Sequence, residues 1–140
     1  MFSPDTRILV IDDFATMRKI IKKTLTELGY TKIDEADDGA TALPLIKDAQ
    51  SKNEPYGFII SDWNMPKMQG IDLLKAFKLD PNLKNIPFML VTAESEQKQI
   101  LEAAKAGVSD YVVKPFNAAT LRTKMDNVFR KHNQPAAKAS

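Results

Sequence analysis

Ile8-Leu9-Val10-Ile11-Asp12-Asp13-Phe14 opens the first regular segment of the chain with four apolar residues and then two adjacent acids. Parallel strands buried on both faces read as such unbroken apolar runs, whereas a half-exposed strand alternates. Three later stretches repeat the design. Phe58-Ile59-Ile60 passes through Ser61 into Asp62, Phe88-Met89-Leu90-Val91 ends in Thr92, and Tyr111-Val112-Val113 ends in Lys114. In open α/β sheets, ligands bind beyond the carboxyl ends of the strands. If the runs are neighbouring parallel strands, Asp12, Asp13, Asp62, Thr92 and Lys114 meet at one edge. Close carboxylates repel one another unless a cation joins them. The pattern therefore asks for a divalent metal, and for a group that the metal and the lysine can both hold.

Between the runs the pattern is helical, so strand and helix alternate from end to end. That alternation predicts a parallel sheet with helices on both faces. Phe14, Met17, Ile20, Ile21, Thr24, Leu25 and Leu28 form one stripe, with Arg18, Lys19, Lys22, Lys23 and Glu27 opposite and Gly29 as a C′ stop. Lys32–Ala36 reads as a short second strand, and Asp38-Gly39 as the turn into a second helix. Pro44 falls in the early interior of that helix, where it removes a hydrogen bond and clashes with the preceding turn. A late start or a kink near Thr41–Leu43 is expected. Ser51–Pro55 reads as a polar loop. Gly70–Leu79 is a third helix with Ile71, Leu74 and Phe77 inward, and Glu96–Ala106 a fourth, ended by Gly107. Ala118–Arg130 is the fifth, with Leu121, Met125, Val128 and Phe129 inward.

The chain has 140 residues, a formal net charge of +2 and no cysteine. This is about one domain, without a basic run dense enough for nucleic acid and without disulfides or thiol chemistry. No apolar run approaches the roughly 20 residues of a membrane span, and the start lacks the build of a signal peptide. The expectation is a cytoplasmic, monomeric protein with one domain over residues 1–132 and a flexible tail over 133–140.

Each candidate residue has a plain structural role beside the chemical one. Asp12-Asp13 could hold Mg²⁺, which prefers a few oxygen ligands, retained waters and a phosphate; either acid could instead cap the following helix. Asp62 could be a nucleophile toward phosphorus, giving an aspartyl-phosphate, or a turn residue. Attack by one anion on another needs charge cancellation, which a metal and a lysine supply. Lys114 could contact phosphoryl oxygens as a point charge, and a cis peptide at Pro115 could aim it into the site. Thr92 and Tyr111 could be a strand hydroxyl and a half-buried aromatic, and His132 a surface residue near the tail.

Taken together, Val10–Arg18, Ile60–Pro66, Val91–Glu94 and Tyr111–Phe116 resemble the receiver domain of two-component response regulators, over nearly the whole chain. Phe14-Ala15-Thr16-Met17-Arg18 and Trp63-Asn64-Met65-Pro66 narrow the resemblance to the single-domain chemotaxis regulators. It implies a doubly wound, flavodoxin-like α/β fold with strand order 2-1-3-4-5. It also implies phosphorylation of Asp62 by a histidine kinase, with Mg²⁺ bound by Asp13, Asp62 and the backbone carbonyl of Asn64, and by Asp12 through water. Thr92 and Lys114 would hold phosphoryl oxygens, and Tyr111 would turn inward as Thr92 moves. Ile100, Ala104, Tyr111 and Lys124 would form the face that meets a flagellar motor switch protein, shared with the kinase and a phosphatase. The fourth helix begins Glu94-Ser95-Glu96-Gln97-Lys98, more acidic than in chemotaxis members with a basic start there.

The implied protein is a switch, not an enzyme, although self-phosphorylation from small donors and slow self-dephosphorylation fit its chemistry. A haloacid dehalogenase-like phosphatase would carry an acid two residues after the nucleophile, where this chain has Asn64. A flavodoxin-like nucleotide or flavin site would need hydroxyls or glycines where Asp12-Asp13-Phe14 stands. A stand-alone receiver with another output, or one acting as a phosphate sink, keeps the same site residues.

Overall fold

The computed structural model describes residues 2–65, 67–92, 97–114 and 116–132. In chain order the elements are β1 (Ile8–Ile11), α1 (Ala15–Glu27), β2 (Ile33–Ala36), α2 (Gly39–Ser51), β3 (Phe58–Asp62), α3 (Gly70–Leu79), β4 (Phe88–Thr92), α4 (Gln97–Lys105), β5 (Asp110–Val113) and α5 (Ala118–His132). The strands form one parallel sheet in the order β2-β1-β3-β4-β5, as the resemblance implies. Because the sheet is doubly wound, the strand order reverses between β1 and β3, and the acidic residues stand at that switch point.

The unbroken apolar runs have a simple cause: both faces of the sheet are covered. Every residue of β1, β3 and β4 is buried. Successive side chains point to opposite faces of a strand. Ile8 and Val10 join Ile21, Leu25, Leu121, Met125 and Val128 in the layer under α1 and α5. Leu9 and Ile11 join Ile46, Leu73, Leu74 and Phe77 in the layer under α2 and α3. Aromatic contacts close both layers. Phe77 meets Phe88 edge to face at 5.1 Å, and Phe2 packs against Phe58 and Phe129, each at 5.2 Å between ring centres. Among the described residues no helix is long and apolar enough to cross a membrane.

Helix α1 ends as its glycine predicts. Gly29 has φ +104°, its N–H donates to the Thr26 carbonyl at 3.0 Å, and the Tyr30 N–H donates back to Leu25 at 3.1 Å. These are the paired bonds of a Schellman stop. The apolar stripe of α1 is narrower than the sequence suggests. Ile21 and Leu25 are buried, but Ile20 is 49% exposed and Phe14 66%. Phe14 has extended backbone ahead of the first turn, and Ile20 lies about 100° around the helix from Ile21, outside the covered strip.

Pro44 does not delay α2, contrary to the expectation. The helix starts at Gly39 and continues through Pro44 to Ser51, so Ser51 belongs to it and not to the following loop. Two local features explain this. The Asp38 carboxylate accepts the Thr41 N–H at 2.8 Å and fixes the first turn. The bond lost at Pro44 would have gone to the carbonyl of Ala40, and both residues are exposed, so water can serve that carbonyl. Asp38→Ala is accordingly expected to cost about 1 kcal/mol, read as a lower urea midpoint with an unchanged slope. A midpoint equal to that of the parent would refute the cap's contribution.

Other boundaries shift slightly. Lys32 lies outside β2, and α5 runs two residues beyond Arg130. The acidic stretch Glu94-Ser95-Glu96 at the expected start of α4, the Pro115 peptide and the tail 133–140 lie outside the described residues.

Candidate functional site

Strand register sets the site. Ile11 pairs with Ser61, so Asp12 and Asp62 come next on adjacent strands; Asp62 pairs with Val91, and Thr92 with Val113. The carboxyl ends of β1, β3, β4 and β5 are therefore level. Asp12 is fully buried, and Asp62 and Thr92 are 6% and 4% exposed. One carboxylate oxygen each from Asp12, Asp13 and Asp62 lies within 4.8 Å of the others.

The two Asp12 oxygens are used differently. Oδ1 accepts the Phe14 N–H at 2.9 Å, and Oδ2 faces Lys114 Nζ at 3.4 Å. Neither acid caps α1, whose N-cap residue Phe14 makes no side-chain cap bond. The Asp12 carbonyl accepts from Arg18 Nη1 at 2.7 Å, while Arg18 Nε pairs with Glu35 at 3.1 Å. Arg18 thus ties the β1–α1 turn to β2. The sequence places it on the solvent side; its spacing one helical turn after Phe14 is the signal that it can reach back. Asp13 Oδ1 is buried and has no hydrogen-bond partner among the described residues.

Lys114 Nζ also lies 3.2 Å from Asp62 Oδ1, which accepts the Trp63 N–H at 3.0 Å. The Lys114 N–H donates to the Thr92 carbonyl at 2.7 Å, so β4 and β5 fix the root of the lysine. Burial, and next the charge of Asp12, push the Asp62 carboxyl up to about 6, with Lys114 only partly offsetting them. The backbone just after Asp62 is held from below by Gly70, whose N–H donates to the Trp63 carbonyl at 3.0 Å. A Cβ at Gly70 would lie 2.2 Å from the Asp62 carbonyl oxygen. No larger residue fits there without moving Asp62, a constraint not visible in the sequence.

Asn64 stands exposed beyond Trp63 at the rim. Behind Thr92 lies a cavity of about 10 Å³ lined by Trp63, Leu90, Thr92, Ile100, Ala103 and Tyr111. Tyr111 is half-buried, with Lys124 Nζ 4.8 Å from its ring centre. Ile100 is half-buried and Ala104 exposed on α4. The structure thus brings Asp12, Asp13, Asp62, Thr92 and Lys114 together at one edge, and Ile100, Tyr111 and Lys124 beside it. Asp110, which touches both Tyr111 and Lys124, is not singled out by the sequence; its signal is a charge at the very start of a strand.

The acidic trio fits a hard divalent cation. All its donors are carboxylate oxygens, one of them a buried oxygen without a partner among the described residues, and a cation would offset the burial and the Asp12 charge that raise Asp62.

Comparison with known proteins agrees with the geometry. The family description "Response regulator receiver domain" matches residues 8–126. Chemotaxis protein CheY-3 of Vibrio cholerae serotype O1 is 49% identical over 131 residues, covering 94% of this chain and 97% of its own. Chemotaxis protein CheY of Pseudomonas aeruginosa is 50% identical over 127 residues, covering 91% and 98%. Among solved structures, the chemotaxis response regulator CheY4 of Vibrio cholerae superposes with a TM-score of 0.76 at 31% identity, covering 89% of this chain and 98% of its own.

Proposed function

The chain belongs to the response regulator receiver family, as a chemotaxis-type member, and we propose that it is a switch set by phosphorylation of Asp62. The observation that carries this reading is the meeting of Lys114 Nζ with Asp62 at 3.2 Å and Asp12 at 3.4 Å, beside the unpartnered Asp13 Oδ1. A lysine alone could neutralise one of three carboxylates; the remainder needs a cation.

In this reading, an Asp62 carboxylate oxygen attacks the phosphorus of a phosphohistidine. An O–P bond forms, the P–N bond breaks, and the imidazole leaves with its electron pair. Lys114 and the Thr92 hydroxyl take two of the phosphoryl oxygens. Asp13, Asp62 and the Asn64 carbonyl would hold Mg²⁺, with Asp12 contributing through water. Mg²⁺ supplies charge cancellation at the phosphoryl group. Without a metal, burial and the charge of Asp12 hold the Asp62 carboxyl up at about 6; the cation that the reaction needs would draw it down and favour the ionised, attacking form.

Thr92 reports the phosphoryl group outward. Drawn toward it, Thr92 frees space beside the cavity it shares with Tyr111 and Ile100, and Tyr111 occupies the space. This is a shift between conformations already accessible. The face of Ile100, Ala104, Tyr111 and Lys124 then suits a flagellar motor switch protein and, at rest, the histidine kinase and any phosphatase. The chain is a switch without turnover of its own beyond slow loss of the phosphoryl group.

Trp63 is the only tryptophan and adjoins Asp62. Acetyl phosphate is expected to change its fluorescence, and to add one phosphoryl group by intact mass, only with Mg²⁺ present. A mass unchanged with Mg²⁺ bound would overturn the acceptor role. Beryllofluoride-loaded protein should bind a motor-switch peptide more tightly than the resting form; equal affinities would leave a receiver with another output.

A further inference from the structure

Asp110 and Lys124 stand outside the acidic cleft, against Tyr111. Asp110 Oδ1 accepts the N–H of Tyr111 at 2.8 Å and faces Lys124 Nζ at 3.4 Å. The same ammonium lies 4.8 Å from the Tyr111 ring centre, within the range where the negative face of an aromatic ring attracts a cation. One partner comes from β5 and the other from α5. Their side chains are 13% and 30% exposed, so the contact is screened less than one in open solvent. Tyr111 lines, with Thr92 and Ile100, a cavity of about 10 Å³, room for roughly one water molecule.

We infer that Asp110 and Lys124 form a latch on the resting switch, Asp110 holding the ammonium at the ring and the ammonium holding the ring outward. The inference rests on Tyr111 being the switch residue. Both are positioning residues and touch neither the metal nor the phosphoryl group. A contact made in only one of two ring positions favours that position by its own free energy. For a cation on an aromatic face at a partly exposed site this is about five-fold. While the inward state is minor, removing the contact raises its population by that factor. The apparent affinity for any ligand that selects the inward state rises equally. The latch thereby sets how much phosphorylation the switch needs.

The test is a beryllofluoride titration of the full chain in saturating Mg²⁺, followed by Trp63 fluorescence. Incorporated 3-fluorotyrosine gives a separate view of the ring by fluorine NMR. The chain has three tyrosines; Tyr30 and Tyr56, 3% and 4% exposed, serve as internal references, and Tyr111→Phe assigns the third resonance. Lys124→Met and Asp110→Asn should each bind beryllofluoride about five-fold more tightly than the parent. Asparagine still offers an acceptor to the Tyr111 N–H, so Asp110→Asn isolates the ion pair. Lys124→Arg should keep the parent affinity, because a guanidinium also pairs with carboxylate and stacks on the ring. Beryllofluoride binding to Lys124→Met no tighter than to the parent would overturn the latch. A Tyr111 resonance that saturating beryllofluoride leaves unmoved in the parent would overturn the switch reading, and the latch with it. The two failures appear in different proteins.

Discussion

Asp62→Asn is expected to make the metal-free protein more stable at pH 7 while abolishing its phosphorylation by acetyl phosphate. The second effect follows from losing the nucleophile, since an amide oxygen does not form the acyl phosphate. The first follows from electrostatics. Burial and the neighbouring charge of Asp12 raise the Asp62 carboxyl from 3.8 to about 6, so the folded protein holds this proton more tightly than the unfolded chain does. For a raised acid the sign is unfavourable. Stability falls as pH climbs from about 4 to about 6, and the full cost persists above that window. A shift of this size corresponds to about 3 kcal/mol at most. Asparagine removes the charge and therefore the cost, but it also deprives Lys114 of one partner, leaving Asp12 at 3.4 Å. The expected net gain is on the order of 1 kcal/mol at pH 7, vanishing near pH 4. Urea unfolding in a chelator at several pH values measures it directly. A variant less stable than the parent at pH 7 would mean that Lys114 already neutralises Asp62, and that the raised carboxyl is not a feature of the fold.

Such destabilising residues were the most legible part of this chain. A charged group directly after a buried apolar strand is costly wherever it stands, and the sequence shows Asp12, Asp13, Asp62 and Lys114 in that position. Alternating strands and helices then bring them together, because parallel strands joined by right-handed crossovers align their carboxyl ends. The strand order came from family resemblance; the apolar runs alone do not say which strand lies beside which. What stayed hidden depends on contacts between distant segments. The need for glycine at position 70 arises only when α3 packs on the backbone of Asp62. The breadth of the α1 stripe depends on how much of the helix the sheet covers, so Ile20 reads as core and lies exposed. Pro44 reads as a helix breaker because the rule assumes a carbonyl that cannot find water, whereas Ala40 and Pro44 both face solvent. Asp110 reads as an ordinary strand-edge charge until α5 brings Lys124 against it.

Lys114→Met provides the sharper test of how the site divides its labour. Methionine keeps the length and apolar stem of lysine and removes only the charge. The backbone bond from position 114 to the Thr92 carbonyl, 2.7 Å in this structure, needs no side chain, so the sheet edge should survive. Three consequences separate by measurement. Phosphorylation by acetyl phosphate in saturating Mg²⁺ should slow about a hundred-fold, the usual effect of losing one donor aimed at developing charge. Asp62 should titrate higher still, since Lys114 is one of the groups now pulling its carboxyl down. Stability without metal should fall most at alkaline pH, because removing one partner of a buried pair leaves an uncompensated charge. Near pH 5 Asp62 can take up a proton and escape much of that cost, so the loss there should be small. Mg²⁺ acts on these effects unequally. A cation among Asp12, Asp13 and Asp62 can replace the missing positive charge for the resting fold, and so restore stability. In the proposed reaction it would not replace the lysine's own contact with a phosphoryl oxygen, and so the rate is expected to stay slow. Full recovery of rate as well as stability at high Mg²⁺ would show that Lys114 only balances charge. Recovery of stability alone would show that it also holds a phosphoryl oxygen, which charge balance cannot replace.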